Sequence, residues 1–124
     1  MNMNPIVTYN IRLKKLRNNK MGYIIVTTTI ENQKDAESLA RKIVEAKLGA
    51  CVQISEIKSI FRWKGKIEVA REFKIEIKTP SENYKRLQGF ILKNNKYEVP
   101  EIVAVKIKKG YDKYLNWIEE EIVN

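Results

Sequence analysis

An α+β fold, an antiparallel sheet carrying two helices on one face, is what this sequence predicts. Three observations carry it: four β-branched or alternating stretches, two stretches of helical period placed after the first and third of them, and a short glycine turn joining the second to the third. The resulting order, β-α-β-β-α-β followed by one more helix, is the split βαβ or ferredoxin-like arrangement. At 124 residues the chain is one domain able to bury its own core.

The first strand is "YIIVTTTI", Tyr23 to Ile30, β-branched and nearly continuous in apolar character, as a strand covered on both faces should be. In "ENQKDAESLARKIVEAKLGA" the period changes. Ala36, Leu39, Ala40, Ile43 and Ala46 fall on one helical face, Asn32 is placed to cap, and Gly49 is expected to stop the helix in the left-handed conformation. "CVQISEIKSIFRW" and "KIEVAREFKIEIKT" then flank Lys64-Gly65-Lys66, a hairpin turn. In the second arm Ile67, Val69, Phe73, Ile75 and Ile77 alternate with polar residues, which predicts a half-buried antiparallel strand. Arg71 interrupts that apolar face, so a bulge or polar contact is expected there.

The next helix opens with Thr79 as N-cap, Pro80 in the first helical position and Glu82 placed for a capping box; Tyr84, Leu87 and Ile91 form its stripe. "EIVAVKIKKG" is the last strand. A terminal helix, "YDKYLNWIEEEIVN", offers Tyr114, Leu115, Ile118 and Ile122 for packing. The first strand and the first half of the second hairpin arm are expected to hold the middle of the sheet. Hairpin arms of about 13 residues extend about 43 Å, so their tips should project past the body and present unpaired edges. Edges of that length invite pairing with other copies of the chain, and a homo-oligomer joined through its hairpins is the expectation.

Charge is unevenly spread. Of the net +9, five positive charges (Arg12, Lys14, Lys15, Arg17, Lys20) lie in residues 1–20 with no acid, leaving 19 Lys/Arg against 15 Asp/Glu in residues 21–124. Residues 1–20 therefore read as a basic, weakly ordered extension and residues 21–124 as the domain. A basic tail is able to bind polyanions, but a solvated extension is the preferred reading. No wholly apolar run exceeds about four residues, far short of the roughly 20 residues a membrane-spanning helix needs, and no signal-like pattern opens the chain. A single cysteine, Cys51, excludes an intrachain disulfide and fits a reducing cytoplasm. With no histidine there is no Ser-His-Asp or Cys-His pair, and no phosphate-binding glycine loop, CxxC or HExxH spacing occurs. No catalytic function is expected.

Four blocks in order, "ARKIVEAKLGACVQI", "SIFRWKGKIEVAREFKIEIKT", "YEVPEIVAVKI" and "YLNWI", together resemble the CutA divalent-cation tolerance proteins over residues 22–122. The resemblance implies a ferredoxin-like subunit in a compact homotrimer, a cytoplasmic location in microbes, a role in copper and other heavy-metal tolerance, and no established turnover. The trimer of that family looks similar to that of the nitrogen-regulatory PII proteins, which keeps a small-ligand or signalling role as an alternative. Members often carry His-Pro where this chain has Asn95 and Lys96, a departure that removes an imidazole and sets an ammonium beside any bound cation.

Cys51 resembles the cysteine of the family's Ala-Cys-Val segment, a position associated there with metal. A thiolate suits Cu(I), but one thiol needs further ligands from carboxylates or another subunit; burial as an ordinary core residue is the competing reading. Met1 and Met3 form a Met-x-Met pair that chance and translation start explain. The segment "NNKYEVPEI" combines Tyr97, Glu98 and Glu101 with Val99-Pro100, whose backbone restraint holds the chain extended into the next strand. By resemblance Trp63, Glu72, Lys78, Tyr97, Glu98 and Glu101 line clefts between subunits. Two readings stand for them: inter-subunit salt bridges and hydrogen bonds, which is preferred, or a pocket for a metal ion or small ligand. Glu72 and Lys78 share a strand face about 20 Å apart, so each should meet a different partner. An RNA-binding ferredoxin-like module is the rival from another class, but Glu68, Glu72 and Glu76 on the polar strand face would repel phosphate.

Overall fold

The computed structural model describes residues 22–123. The basic extension and the Met-x-Met pair lie outside the described residues. Four strands, β1 (Tyr23–Ile30), β2 (Cys51–Trp63), β3 (Lys66–Pro80) and β4 (Ile102–Ile107), alternate with α1 (Gln33–Glu45), α2 (Tyr84–Lys93) and α3 (Asp112–Val123). All pairings are antiparallel, in the order β2-β3-β1-β4. This is the expected ferredoxin-like α+β architecture.

The core forms where the periodicities predict it. Val26, Ile75 and Ile77 from the sheet meet Ala36, Leu39 and Ile43 of α1 and Leu87 and Ile91 of α2. Packing of α3 is against the opposite face, since Lys78, which alternates with core-facing Ile77, has its ammonium 5.5 Å from the Tyr114 ring. Ile118 is fully buried there and Tyr114, Leu115 and Ile122 half-buried.

The start of α1 is as expected: Asn32 accepts a hydrogen bond from the Asp35 N–H at 2.8 Å. Its end is not. The helix finishes at Glu45, and Lys47, not Gly49, takes the left-handed conformation at φ 58°. Bonds from Lys47 N–H to Val44 O and from Leu48 N–H to Ile43 O close a Schellman motif, with buried Leu48 and Ile43 as its apolar pair. Gly49 is a glycine because a Cβ there would overlap Ile77 Cγ2 and lie 3.0 Å from Ile43 Cγ2. The cap proposed for α2 is likewise replaced. Thr79 and Pro80 remain in β3, where Thr79 pairs with Ile24, and a single 3₁₀ turn, Ser81–Asn83, precedes the helix. The Thr79 hydroxyl accepts from the Asn83 side-chain amide at 3.1 Å, and no side-chain cap bond closes the start of the turn or of the helix.

The hairpin turns through Lys64 and Gly65, both at positive φ, and runs in unbroken register from Trp63↔Lys66 to Cys51↔Lys78. No bulge forms at Arg71, whose guanidinium meets Glu56 at 3.7 Å on the exposed surface. The part of β3 that lies mid-sheet is its second half, Phe73 to Pro80, which pairs with β1; among the described residues, Lys66 to Glu72 have β2 alone beside them. That corrects the expectation for the first half. The reason is direction: an antiparallel partner of Tyr23–Ile30 that leads straight into α2 must present its C-terminal end to β1. The protruding half runs about 23 Å at strand rise; Ile67 and Val69 on it are 70% and 62% exposed, and Ile60, opposite Val69 on β2, is 69% exposed. The alternation that read as half-buried continues out along a ribbon that, among the described residues, has no core beneath it.

Candidate functional site

The loop between α2 and β4 is built residue by residue onto the end of β1. Asn94 closes α2, its side-chain amide donating to Phe90 O at 2.8 Å. Pairing of β1 with β4 ends at Thr28↔Ile102, and the carbonyl of Thr29, next along, accepts from the Asn95 side-chain amide at 3.0 Å. Asn95 Oδ1 in turn accepts from the Tyr97 N–H at 2.9 Å. Thus the asparagine that replaces a histidine in the resemblance ties the loop to the sheet.

This tether aims Tyr97 at the root of the projecting hairpin. Its hydroxyl donates to Glu72 Oε2 at 2.8 Å, across 25 positions of sequence. Glu72 is 8% exposed, so the phenol supplies a donor to a carboxylate that water reaches poorly. Burial first, then the hydrogen bond to Glu72 and the negative charges of Glu72 and Glu31, push the Tyr97 phenol well above its ordinary value. Farther out, Glu98 lies 3.8 Å from the Lys64 ammonium at the hairpin turn, an exposed pair of little energetic weight.

Loop and hairpin enclose a cleft of about 780 Å³. Trp63, Glu72, Tyr97, Glu98 and Glu101 all line it, so five of the six cleft residues named from sequence come together in one chain. Tyr97 and Glu98 meet Glu72 and Lys64 of the same subunit, where contacts to a neighbour's side chains had been expected. Lys78 does not join them. It sits at the far end of β3, donating to Gln53 Oε1 at 3.0 Å and facing Tyr114, which agrees with separate partners for Glu72 and Lys78. Cys51, half-buried, is the cross-strand neighbour of Lys78 and is equally remote from the cleft.

Among the eight lining residues not nominated as cleft residues from sequence, Phe61 and Glu68 bear most on its chemistry. They are direct cross-strand partners, and counting back from the Lys64-Gly65 turn would have placed Phe61, Trp63 and Glu68 on one face. Glu68, Glu72, Glu98 and Glu101 make the lining acidic, with the Trp63 and Phe61 rings, 36% and 42% exposed, on the hairpin side. The carboxylates are spread along the walls. Among the described residues no three Cys, Asp or Glu side chains close on one point as a metal-ligand set.

The family model described as CutA1 divalent ion tolerance protein matches residues 24–121. The divalent-cation tolerance protein CutA of Archaeoglobus fulgidus is 39% identical over 94 residues, 76% of this chain and 92% of its own. Protein CutA of Homo sapiens is 41% identical over 93 residues, and there the match spans 74% of this chain but 52% of the relative. Among solved structures, the periplasmic divalent cation tolerance protein CutA from Archaeoglobus fulgidus superposes with a TM-score of 0.79 at 37% identity, covering 81% of this chain and 98% of that one. CutA1 from Oryza sativa does so with a TM-score of 0.79 at 34% identity, over 84% and 96% of the two chains.

Proposed function

Since the chain belongs to the CutA1 divalent ion tolerance family, we propose that it serves cation tolerance by binding, as a homotrimer, with divalent cations such as copper held as cargo at the acidic cleft and no chemical turnover. The observation that carries this reading is the convergence of Glu68, Glu72, Glu98 and Glu101 on one cleft of a chain whose net charge is +9. A concave array of one sign raises the local concentration of its counter-ion. The spacing of these carboxylates does not fit a dehydrated, fully ligated ion within one subunit. A cation is held through its water shell, or with donors from a neighbouring copy.

Self-association supplies such a neighbour. Among the described residues, the outer edge of β2 is unpaired along Cys51–Trp63 and the distal half of β3 has no second partner. Cys51 is proposed as a soft ligand for Cu(I), needing a second donor from another subunit. A cytoplasmic location belongs to the proposal and rests on the free thiol; no helix among the described residues is long and apolar enough to cross a membrane. The family is named for tolerance to ions, not for a reaction.

Isothermal titration with Zn²⁺ and Cu²⁺ tests the cleft. Glu98→Gln/Glu101→Gln should bind about tenfold more weakly, a loss near 1.4 kcal/mol, while Cys51→Ser should change Cu(I) binding alone. Identical isotherms for wild type and the double variant would remove the cleft from the account. The cleft volume of about 780 Å³ and the exposed Trp63 ring also suit a PII-like small-ligand role; a bound neutral or cationic metabolite in native mass spectra would favour it. Nucleic acid across the sheet face meets Glu68, Glu72 and Glu76 and is not favoured.

A further inference from the structure

A basic side chain stands at the mouth of the acidic cleft. Lys64, held at φ 50° in the hairpin turn, places its ammonium 5.5 Å from the centroid of the Trp63 ring, within cation–π reach, and 3.8 Å from Glu98 Oε2. Ring and carboxylate both line the cleft, whereas the lining itself carries Glu68, Glu72, Glu98 and Glu101 and no lysine or arginine. The hairpin turn therefore brings a cation of its own to walls that favour cations.

The contact bridges the two rims of the cleft, hairpin turn and α2–β4 loop, yet it is loosely held. The Lys64 and Glu98 side chains are 71% and 70% exposed, and a pair so solvated is easily exchanged. Room to swing away is present, since a Cβ on neighbouring Gly65 would meet no atom of the described residues within 4 Å. A tethered ammonium competes at a fixed effective concentration that a free ion must match. Its charge also acts through space: an ammonium about 8 Å from a hydrated divalent ion lowers affinity about fivefold in water.

We propose that Lys64 is a built-in competitor that sets how tightly the cleft holds a cation, its ammonium and an incoming ion excluding one another from Glu98. The inference rests on the reading of the cleft as a cation site. Lys64 keeps the cargo exchangeable, because a carrier that binds too tightly cannot release.

Isothermal titration of the full chain with Zn²⁺ at about 50 mM salt, where the ammonium is weakly screened, tests it. Lys64→Gln should bind about fivefold more tightly than wild type. Lys64→Arg should keep wild-type affinity, and so should Lys106→Gln, at the other end of β1 from the cleft. At about 1 M salt the gain of Lys64→Gln should shrink toward nothing. In a Glu98→Gln background the same substitution should gain less, since the group competed for is gone. Equal affinities of wild type and Lys64→Gln, or a gain that Lys106→Gln reproduces, overturn the proposal and leave the cleft reading in place. Zn²⁺ bound by neither wild type nor Lys64→Gln overturns both.

Discussion

Replacing Tyr97 by Phe removes one oxygen and leaves Glu72, 8% exposed, without the donor 2.8 Å away. A hydrogen bond to a charged group is worth about 1.5–3 kcal/mol when its loss strands the charge. Tyr97 is only half-buried, so water partly replaces the hydroxyl and a loss of about 1–2 kcal/mol is expected. The readout is urea unfolding at fixed protomer concentration, since association contributes to apparent stability. At this chain length the melting temperature should fall by about 4–8 °C. Glu72→Gln keeps an acceptor for the phenol and discards the charge, and should cost less. The same contact makes a pH prediction. Because the folded phenol holds its proton above the ordinary value, the folded chain binds more protons than the unfolded one in alkali. The stabilisation is complete below pH about 10, and is lost as pH rises through the folded value. The stability difference between wild type and Tyr97→Phe should therefore shrink above that pH. A Tyr97→Phe protein as stable as wild type at pH 7, or a difference that does not change in alkali, would refute the reasoning.

Gly49→Ala should destabilise by about 1–3 kcal/mol, because the added methyl overlaps Ile77 Cγ2 and both neighbours are fully buried; denaturant midpoints measure it. Lys64→Asn should stabilise by about 0.5 kcal/mol, since Lys64 sits at φ 50° in a two-residue hairpin turn that asparagine adopts more readily. Ile67→Glu/Val69→Glu should leave the melting of a monomer intact and dissociate the proposed oligomer in light scattering, because both side chains are more than half exposed on the free part of the ribbon; an unchanged particle mass would place the interface elsewhere.

Much of the fold was legible in the residues themselves. Period-two and period-3.6 patterns report which side of a segment is buried, so Ala36, Leu39 and Ile43 of α1 and Leu87 and Ile91 of α2 were placed correctly. Asn32 and the Lys64-Gly65 turn were equally readable, since capping and turn chemistry act within a few residues. Periodicity failed where a pattern outran the body. Ile67 and Val69 continue the alternation of Ile75 and Ile77, yet among the described residues no helix lies under them. Likewise Gly49 reads as a helix stop, but Lys47 tolerates positive φ inside a Schellman motif and the glycine answers a packing need set by Ile77 from another strand.

The candidate site divides in the same way. Tyr97, Glu98, Glu101, Trp63 and Glu72 were nominated by residue type and resemblance, while their meeting in one cleft, and the exclusion of Lys78 and Cys51 from it, followed from the register of β1 on β3 and β4. The order of elements, their inward faces and the hairpin's length were readable from the residues, because each depends on interactions among near neighbours in the chain. Which half of β3 is central, and that Tyr97 reaches Glu72, emerged only in the folded domain. Contacts across 25 positions depend on strand register and loop path, which are set by the packing of the whole domain and by no local preference.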